Sequence, residues 1–332
     1  MIDNIEDFFK FVNERQNVFM RRFNDGRGHP WTKDNAIANY HYTNVYRELD
    51  RGTVFYIKYI AHNKAPPFGP WHDFKIFSTI MYRIFNKIET YSAITQDLIY
   101  EEKGWDKEIV TKTLQKIDDA CMPIFTNAFM VTGSVYPGMT KSDQMVKALD
   151  EIWQQRDDII DMCKFSSTLE DVWMQLQAYP GIGPFLAYEI VCDLMYAKIL
   201  PFTEDDWVNV GPGAKKGLWE IWPQLDESEM VKEISFLRNS QRDYLDTLGF
   251  RYLNNWDIDH FDSRQKELTL RNIEHSLCEY SKYKRAQRGE RMKRKWHGVT
   301  PDDGWYRHAL YDLYGVGKPY NIATPLLAGE IN

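Results

Sequence analysis

The residues best suited to chemistry lie in a few short stretches. In Tyr179-Pro180-Gly181-Ile182-Gly183-Pro184 the two glycines permit a tight turn, because glycine reaches positive φ without a Cβ clash. Pro184 suits the first turn of a following helix. A helix N-terminus presented this way aims backbone N–H groups outward and binds an anionic oxygen such as a phosphate. The plainer alternative is a glycine turn joining two packed helices. Gly211-Pro212-Gly213-Ala214-Lys215-Lys216-Gly217 is a second glycine loop that opens a helix. Its N–H groups and two ammonium groups suit a pyrophosphate, or it is a surface turn. Asn44, Arg47 and Asp50 in TNVYRELD are spaced to share one side of a helix. Arg47 suits a bidentate phosphate clamp and Asn44 a base-edge or amide reader, unless Arg47 and Asp50 form an ordinary surface pair. Glu274 and His275 in IEHSLCEYSKYK offer a general base, or a structural His–Glu pair through His275 and Glu279.

Charge is unevenly distributed. The chain carries −7 overall, which by itself argues against a nucleic-acid partner. Between Lys282 and Trp296, however, eight Lys and Arg residues stand against Glu290 alone, a local +7 on a remainder of −14. This 282–296 tract, with Lys282, Arg285, Arg291, Lys293, Arg294 and Lys295, can hold a phosphate backbone because screening confines each field to about 10 Å. The alternative is a solvated basic loop. No GxxxxGK[ST] phosphate loop occurs, no metal-ligand cluster is evident, and no cofactor is expected. Four scattered cysteines without a CxxC argue against a zinc ribbon or a disulfide framework and fit a reducing cytosol. MIDNIEDFFKF carries acids where a signal peptide carries lysines, and no apolar run reaches membrane-spanning length. A soluble cytoplasmic protein is expected, with no membrane partner.

Hydrophobic periodicity supplies the elements that must position these residues. Helices are expected over Ile5–Arg22, from Ile37 through Leu49, and over His72–Ile88, Ile109–Cys121, Lys141–Trp153, Glu227–Leu248 and Leu268–Tyr283. A first helix carrying Leu169, Val172, Trp173 and Leu176 leads into the Gly181 turn, and a second carries Leu186, Ile190 and Leu194. Residues 24–30 and 65–70 are breaks, and the tail from Thr300 is rich in Gly and Pro with a loose end. TVFYIKYI passes for a strand on its composition. No repeat or clean boundary divides the chain, so a single helical domain over 1–332 is expected, with room for two lobes and with the turn and its neighbours at 169–217.

PGIGPFLAYEIVCDL resembles the helix-hairpin-helix of the DNA glycosylase superfamily. Together with PWTKDNAIANYHYTNVYRELDR, IFTNAF, EDDWVNVGPGAKKGL and RNIEHSLCEYSKYKR, it resembles the α-glutamyl/putrescinyl thymine pyrophosphorylases, the amino-acid:DNA transferases of phage thymine hypermodification. The helical domain of 5-hydroxymethyluracil DNA kinases shares much of this pattern. The resemblance implies an all-α, glycosylase-like helix-hairpin-helix fold acting on DNA that contains a modified thymine, in the host cytoplasm if phage-encoded. It implies loss of pyrophosphate from a 5-pyrophosphoryloxymethyl carbon and its replacement by an amino acid or polyamine, downstream of a DNA kinase. TVFYIKYI is taken as helical on the same ground.

The superfamily's catalytic aspartate falls at Asp205 or Asp206, with Asp206 preferred. A carboxylate there stabilises positive charge on the reacting carbon or deprotonates the amine, unless it only caps a helix at Trp207-Val208. Pro184 and Phe185 stand where lyase-type glycosylases carry a lysine, so Schiff-base strand cleavage is not expected. Two rival readings remain: a glycosylase that removes a modified thymine or uracil, and a non-catalytic DNA-binding partner of a kinase.

Overall fold

A computed structural model describes residues 2–62, 71–100, 104–126, 135–257, 260–292 and 304–317. Lys293, Arg294 and Lys295 of the basic tract, the 65–70 break, Asn127 to Phe129 of IFTNAF and the last residues of the tail lie outside them. In chain order the helices are α1 (Ile2–Phe19), which runs into a π turn at Met20–Asn24, α2 (Asn35–Ala38), a 3₁₀ turn (Arg47–Leu49), α3 (Arg51–Phe55) and a π turn (Tyr56–Ala61). Next come α4 (Trp71–Phe85), α5 (Ile88–Tyr100), α6 (Lys107–Asp119), α7 (Lys141–Gln154), α8 (Arg156–Phe165), α9 (Leu169–Leu176) and α10 (Pro184–Tyr196). The chain ends with α11 (Pro212–Ile221), a 3₁₀ turn (Glu227–Glu229), α12 (Met230–Leu245), β1 (Leu253–Asp257), β2 (His260–Lys266), α13 (Leu270–Gln287) and α14 (Gly304–Tyr314). The two strands pair antiparallel, an addition to the expected all-α architecture, and the rest of the regular structure among the described residues is helical.

Two compact units divide these elements. Unit 1 is Met1–Val54 with Val208–Asn332, and unit 2 is Phe55–Trp207. The division at Trp207 falls inside the 169–217 stretch, so the Gly181 turn and the Gly211 loop belong to different units.

In unit 1, α13 is the central helix, packed by α11, α12, α1, α2 and the Arg47–Leu49 turn. Thr269 caps it, its hydroxyl accepting the Asn272 N–H at 3.3 Å. Leu270, Ile273, Leu277, Tyr280 and Tyr283 are buried as the sequence pattern requires, and so are Arg271, Asn272, Glu274, Ser276, Glu279 and Ser281. A helix buried on all sides is ordinarily apolar throughout, and this one is not. Helix α11 lies against it closely enough that a Cβ on Gly217 would stand 2.1 Å from the Leu277 carbonyl oxygen, and one on Gly213 2.2 Å from the Cys278 Sγ.

The expected helix through Ile37–Leu49 is not continuous: α2 stops at Ala38 and residues 41–46 are not helical. Tyr42 donates its hydroxyl to the Ala36 carbonyl at 3.1 Å. The Asp50 carboxylate accepts the Asn44 backbone N–H at 2.9 Å, and Asn44 Nδ2 donates to the Leu49 carbonyl at 2.8 Å. Asn and Asp side chains here offer the backbone a competing set of hydrogen bonds, and the helix gives way. TVFYIKYI is helical as expected, split between α3 and the π turn. The tail from Thr300, rich in Gly and Pro and read without a helix, contains α14, whose Trp305, Tyr306, Leu310 and Leu313 are buried.

In unit 2, α10 follows the glycine turn and is buried from Leu186 to Leu194. Arg83 of α4 meets it with a bidentate pair to Asp193, its Nη2 donating at 2.6 Å, and with a contact to Glu189 at 3.1 Å. Burial opposes the guanidinium charge, but the two carboxylates hold its pKa above the ordinary value. Buried charges of this kind are tolerated only when paired.

Glycine to alanine inside a helix ordinarily stabilises by about 0.5–1 kcal/mol. Gly217→Ala is expected to do the reverse, because the new methyl meets backbone that cannot rotate away, and overpacking of this kind costs roughly 1–3 kcal/mol. A lowered thermal midpoint checks this.

Candidate functional site

Residues from the 3₁₀ turn, α1 and α13 form a buried cluster of mixed charge in unit 1. Arg47, at the start of the 3₁₀ turn, is buried and paired with Asp50. Asn44 is held against the same turn by the bonds described above. Arg15 of α1 donates to the Thr43 carbonyl and lies with its guanidinium 5.1 Å from the Tyr42 ring centroid. Burial lowers the Arg15 pKa, opposed by the charges of Glu279 and Asp50. Glu279 accepts Lys282 Nζ on Oε1 at 2.7 Å. Glu48, on the same 3₁₀ turn, accepts from Lys266. Cys278 lies within the fields of Glu279, Lys282, Glu274 and Arg47, which places the 3₁₀ turn beside this part of α13.

Several polar atoms of this cluster have no hydrogen-bond partner among the described residues. They are Arg47 Nε, Glu279 Oε2, Glu48 Oε2 and both side-chain polar atoms of Asn272, a residue with 0% exposure. An unsatisfied buried polar group costs about 1–3 kcal/mol, more if charged, so such groups are rare without a functional reason. These atoms lie on two packed elements, the Arg47–Leu49 turn and α13. Asn272 and Glu279 stand seven residues apart on one helix face, with Lys282 a further turn along. That spacing was visible in RNIEHSLCEYSKYK, but nothing in the sequence told a buried face from a solvated one.

The structure brings Asn44, Arg47 and Lys282 to the elements of this cluster, with Glu274 and His275 beside it. Glu274 is occupied: Oε1 accepts the Gly211 N–H at 3.1 Å and Oε2 lies 2.9 Å from His275 Nδ1. The N-terminus of α11 therefore already has an anion, supplied by the protein. Lys215 pairs with Glu227, and Lys216 is exposed. Gly213 is where α11 meets Cys278. Within the basic tract, Arg285 donates to Glu290 at 2.7 Å and Arg288 makes two bonds of 2.9 Å to Glu220, while Arg291 is exposed. The tract's described charge is thus largely paired within the protein.

The Gly181 turn and the Asp pair are in unit 2. Thr168 and Asp171 form a reciprocal capping box at the start of α9. Gly181 has φ +78°, where glycine is favoured, and Gly183 is the N-cap of α10 with Pro184 in the first turn. No side chain caps this helix. Trp173 Nε1 donates to the Pro184 carbonyl at 2.8 Å, and the Trp173 and Tyr188 rings pack on Trp207 at 5.0 and 5.8 Å. Asp206 is exposed and folds back on Thr203, accepting its N–H at 2.6 Å and its hydroxyl at 3.0 Å. Asp205 is exposed as well. Helix capping by either aspartate at Trp207-Val208 is overturned, since the next helix begins only at Pro212 with Gly211 as its N-cap.

What fold and site define together is a helical protein with an uncapped hairpin helix in one unit and a buried mixed-charge cluster in the other. The chain belongs to the family of the 5-hmdU DNA kinase helical domain, whose model matches residues 3–293. It is 30% identical over 327 residues to the 5-hmdU DNA kinase of Bacillus phage SP10, covering 91% of this chain and 50% of that protein. The chain thus spans about half the length of this relative. No solved structure matches significantly. Among the described residues no helix is long and apolar enough to cross a membrane.

Two tests follow. Burial, reinforced by Glu279, pushes the Cys278 thiol up to about 12, so it stays protonated and unreactive at neutral pH. At pH 8 iodoacetamide is expected to label exposed Cys121 and spare Cys278, as read by peptide mass spectrometry. A Cβ at Gly183 would meet nothing within 4 Å, so Gly183→Val is expected to keep the thermal midpoint of the parent. If the turn holds phosphate, this variant loses DNA affinity, and unchanged affinity in a titration makes the turn purely structural.

Proposed function

We propose that this chain modifies thymine in DNA, replacing the pyrophosphate of 5-pyrophosphoryloxymethyl-deoxyuridine with an amino acid or a polyamine. The observation that carries the reading is the buried set Arg47, Asn272 and Glu279, each of which keeps at least one polar atom without a hydrogen-bond partner among the described residues. A purely structural helix gains nothing from burying them. Family membership supports a modified-DNA setting, and the α9–turn–α10 hairpin is read as the glycosylase-like helix-hairpin-helix that holds the DNA backbone.

In this reaction the bond from the exocyclic methylene carbon to oxygen breaks, and pyrophosphate leaves with the electron pair. The amine nitrogen forms the new bond to carbon and gives up one proton. Arg47 and Lys282 suit the leaving pyrophosphate, since guanidinium and ammonium groups stabilise the charge it takes away. Glu279 Oε2 suits the proton, because Lys282 occupies the other oxygen. Asn272 offers both an amide donor and an acceptor to orient the amine. Asp206 is the rival carboxylate, nominated by the glycosylase likeness, and its bonds to Thr203 leave it at the surface of unit 2.

A second reading has one specific observation in its favour. The chain matches half of a DNA kinase and carries no GxxxxGK[ST] loop, as expected of a helical module that delivers modified DNA to a separate kinase.

Mass spectrometry of nucleosides digested from pyrophosphorylated DNA, after incubation with the protein and a panel of amines, tests all of this. An amine-bearing nucleoside retained in DNA is the expected product. Glu279→Gln is expected to cut turnover by about 100-fold or more, with Asp206→Asn near the parent rate. The opposite ranking moves the chemistry to the Asp206 turn. Released free base indicates a glycosylase, and tight DNA binding with no product under any amine supports the kinase-partner reading.

A further inference from the structure

A concavity in unit 1 lies where the π turn at the end of α1 meets the chain just after α14. Gly317 has φ +91° there, and a Cβ on it would stand 2.8 Å from the Phe23 carbonyl oxygen, so the two segments cross in close contact. The Gly317 N–H donates to Asn24 Oδ1 at 3.3 Å. Between them is a cavity of about 300 Å³, with an apolar wall of Phe23, Leu310 and Val316 and a polar rim that includes Asp25 and Arg307. Gly26 borders it at φ +64°, and a Cβ there would meet nothing within 4 Å.

The charges at this rim come from three distant parts of the chain. Asp25 is engaged by Arg251, whose two terminal nitrogens donate at 2.9 and 2.7 Å, and Arg27 Nε stands 3.8 Å from the same carboxylate. The bonds from Arg251 hold the Asp25 carboxyl well below the usual carboxylate range, so this acid is charged and already occupied. Arg307 is different. Its guanidinium lies 5.1 Å from the Phe23 ring centroid, and its one hydrogen bond among the described residues reaches the Arg22 carbonyl at 3.5 Å. No described carboxylate stands within ion-pair distance of it. Three guanidinium groups against one carboxylate leave this rim positive, on a chain whose net charge is −7. In the 282–296 tract, by contrast, Arg285 and Arg288 are tied to Glu290 and Glu220.

That composition selects among ligands. A polyamine is cationic and is repelled. The ammonium of an amino acid meets a carboxylate whose oxygens Arg251 already holds. Free pyrophosphate has no apolar part to set against Phe23, Leu310 and Val316. A unit of DNA backbone matches both sides: its phosphodiester carries a single negative charge, and the carbon face of its deoxyribose is apolar. Guanidinium groups are favoured partners of phosphate oxygens in protein–DNA contacts. The room suffices, since a cavity of about 150 Å³ holds a benzene ring. Asn24, Asp25, Gly26 and Arg27 are exposed, which leaves the rim open to a long polymer.

We propose that this cavity seats a phosphodiester and its sugar from the DNA backbone, with Arg307 as the main contact and Arg27 and Arg251 adding charge beside it. The inference rests on the DNA-modification reading for its ligand and deepens it, giving unit 1 a hold on the substrate that is independent of sequence. Contacts of this kind position a duplex and carry no base information.

Duplex titrations over a range of salt test this on the full chain, because each lost phosphate contact flattens the plot of log affinity against log salt by about 0.9. Arg307→Gln is expected to flatten it by about that much, alike for all duplex sequences, and to weaken binding most at low salt. Arg307→Lys keeps the charge and is expected to keep the slope, which separates charge from packing on Phe23. Arg27→Gln changes a side chain that is 67% exposed, leaves the core alone and is expected to flatten the slope as well. Lys232→Gln removes an equal charge from the exposed face of α12 and is expected to keep the parent slope. A parent slope in Arg307→Gln, or in Arg27→Gln should the first variant unfold, overturns the site, and so does a parent that binds no duplex. Equal flattening in Lys232→Gln overturns it too, since any charge would then serve. Calorimetry with inorganic pyrophosphate is the other arm: Arg307-dependent binding of that anion with an unchanged duplex slope assigns the cavity to a free anion and overturns the backbone assignment. The nucleoside assay reports separately. An Arg307-dependent slope in a protein that yields no amine-bearing product keeps this site and removes the transferase reading.

Discussion

The closeness of α11 to α13 is the constraint on which unit 1 depends. At Gly217 no side chain of any kind fits above the Leu277 carbonyl, and at Gly213 the neighbour is the Cys278 sulfur. Two helices in such contact leave no room for water between them. Helix α13 is therefore enclosed, with α12, α1, α2 and the Arg47–Leu49 turn on its other sides. Enclosure is what turns an ordinary polar helix sequence into a set of buried charges. Arg271, Asn272, Glu274 and Glu279 would be unremarked on a solvated face, but here each must find a partner or remain a standing cost.

Those costs are handled in two ways. Glu274 is satisfied within the fold: its carboxylate takes the Gly211 N–H at the start of α11 and lies beside His275. It acts as the built-in anion of that helix terminus. Unit 2 offers a parallel in Arg83, which two carboxylates of α10 engage. Arg47, Asn272 and Glu279 differ, since part of their hydrogen-bonding capacity is unspent. Those unspent atoms are the ground on which the chemistry is proposed there.

Much of the fold was legible in the sequence because it follows from periodicity. The apolar stripes of α1, α4, α6, α7, α12 and α13 locate those helices to within a few residues, while the threonine caps of α7, α9 and α13, Thr140, Thr168 and Thr269, emerge only in the structure. The glycine turn before α10 was equally plain, with Gly181 at positive φ and Pro184 in the first turn. The β1–β2 ribbon and α14 were not legible. The first is a short pairing with an irregular register at Asn254/Asn255, and the second is a helix of aromatic residues between glycines. The Asn44–Asp50 segment misled because its spacing is helical while its Asn and Asp side chains bond to the backbone instead.

For the candidate site, sequence alone determined which residue types were available and which sat together along one helix. Glycines, lysines and carboxylates in GPGAKKGL and RNIEHSLCEYSKYK could equally have bound a ligand or each other, because local chemistry is the same in both cases. Only the tertiary structure decided between them. It spent the Gly211 N–H on Glu274, Lys215 on Glu227 and Arg288 on Glu220, all of them partners distant or unmarked in the chain. It left Asn272 and Glu279 enclosed with atoms unpaired. Burial and pairing are properties of surfaces brought together from distant parts of the chain, and no local pattern carries them.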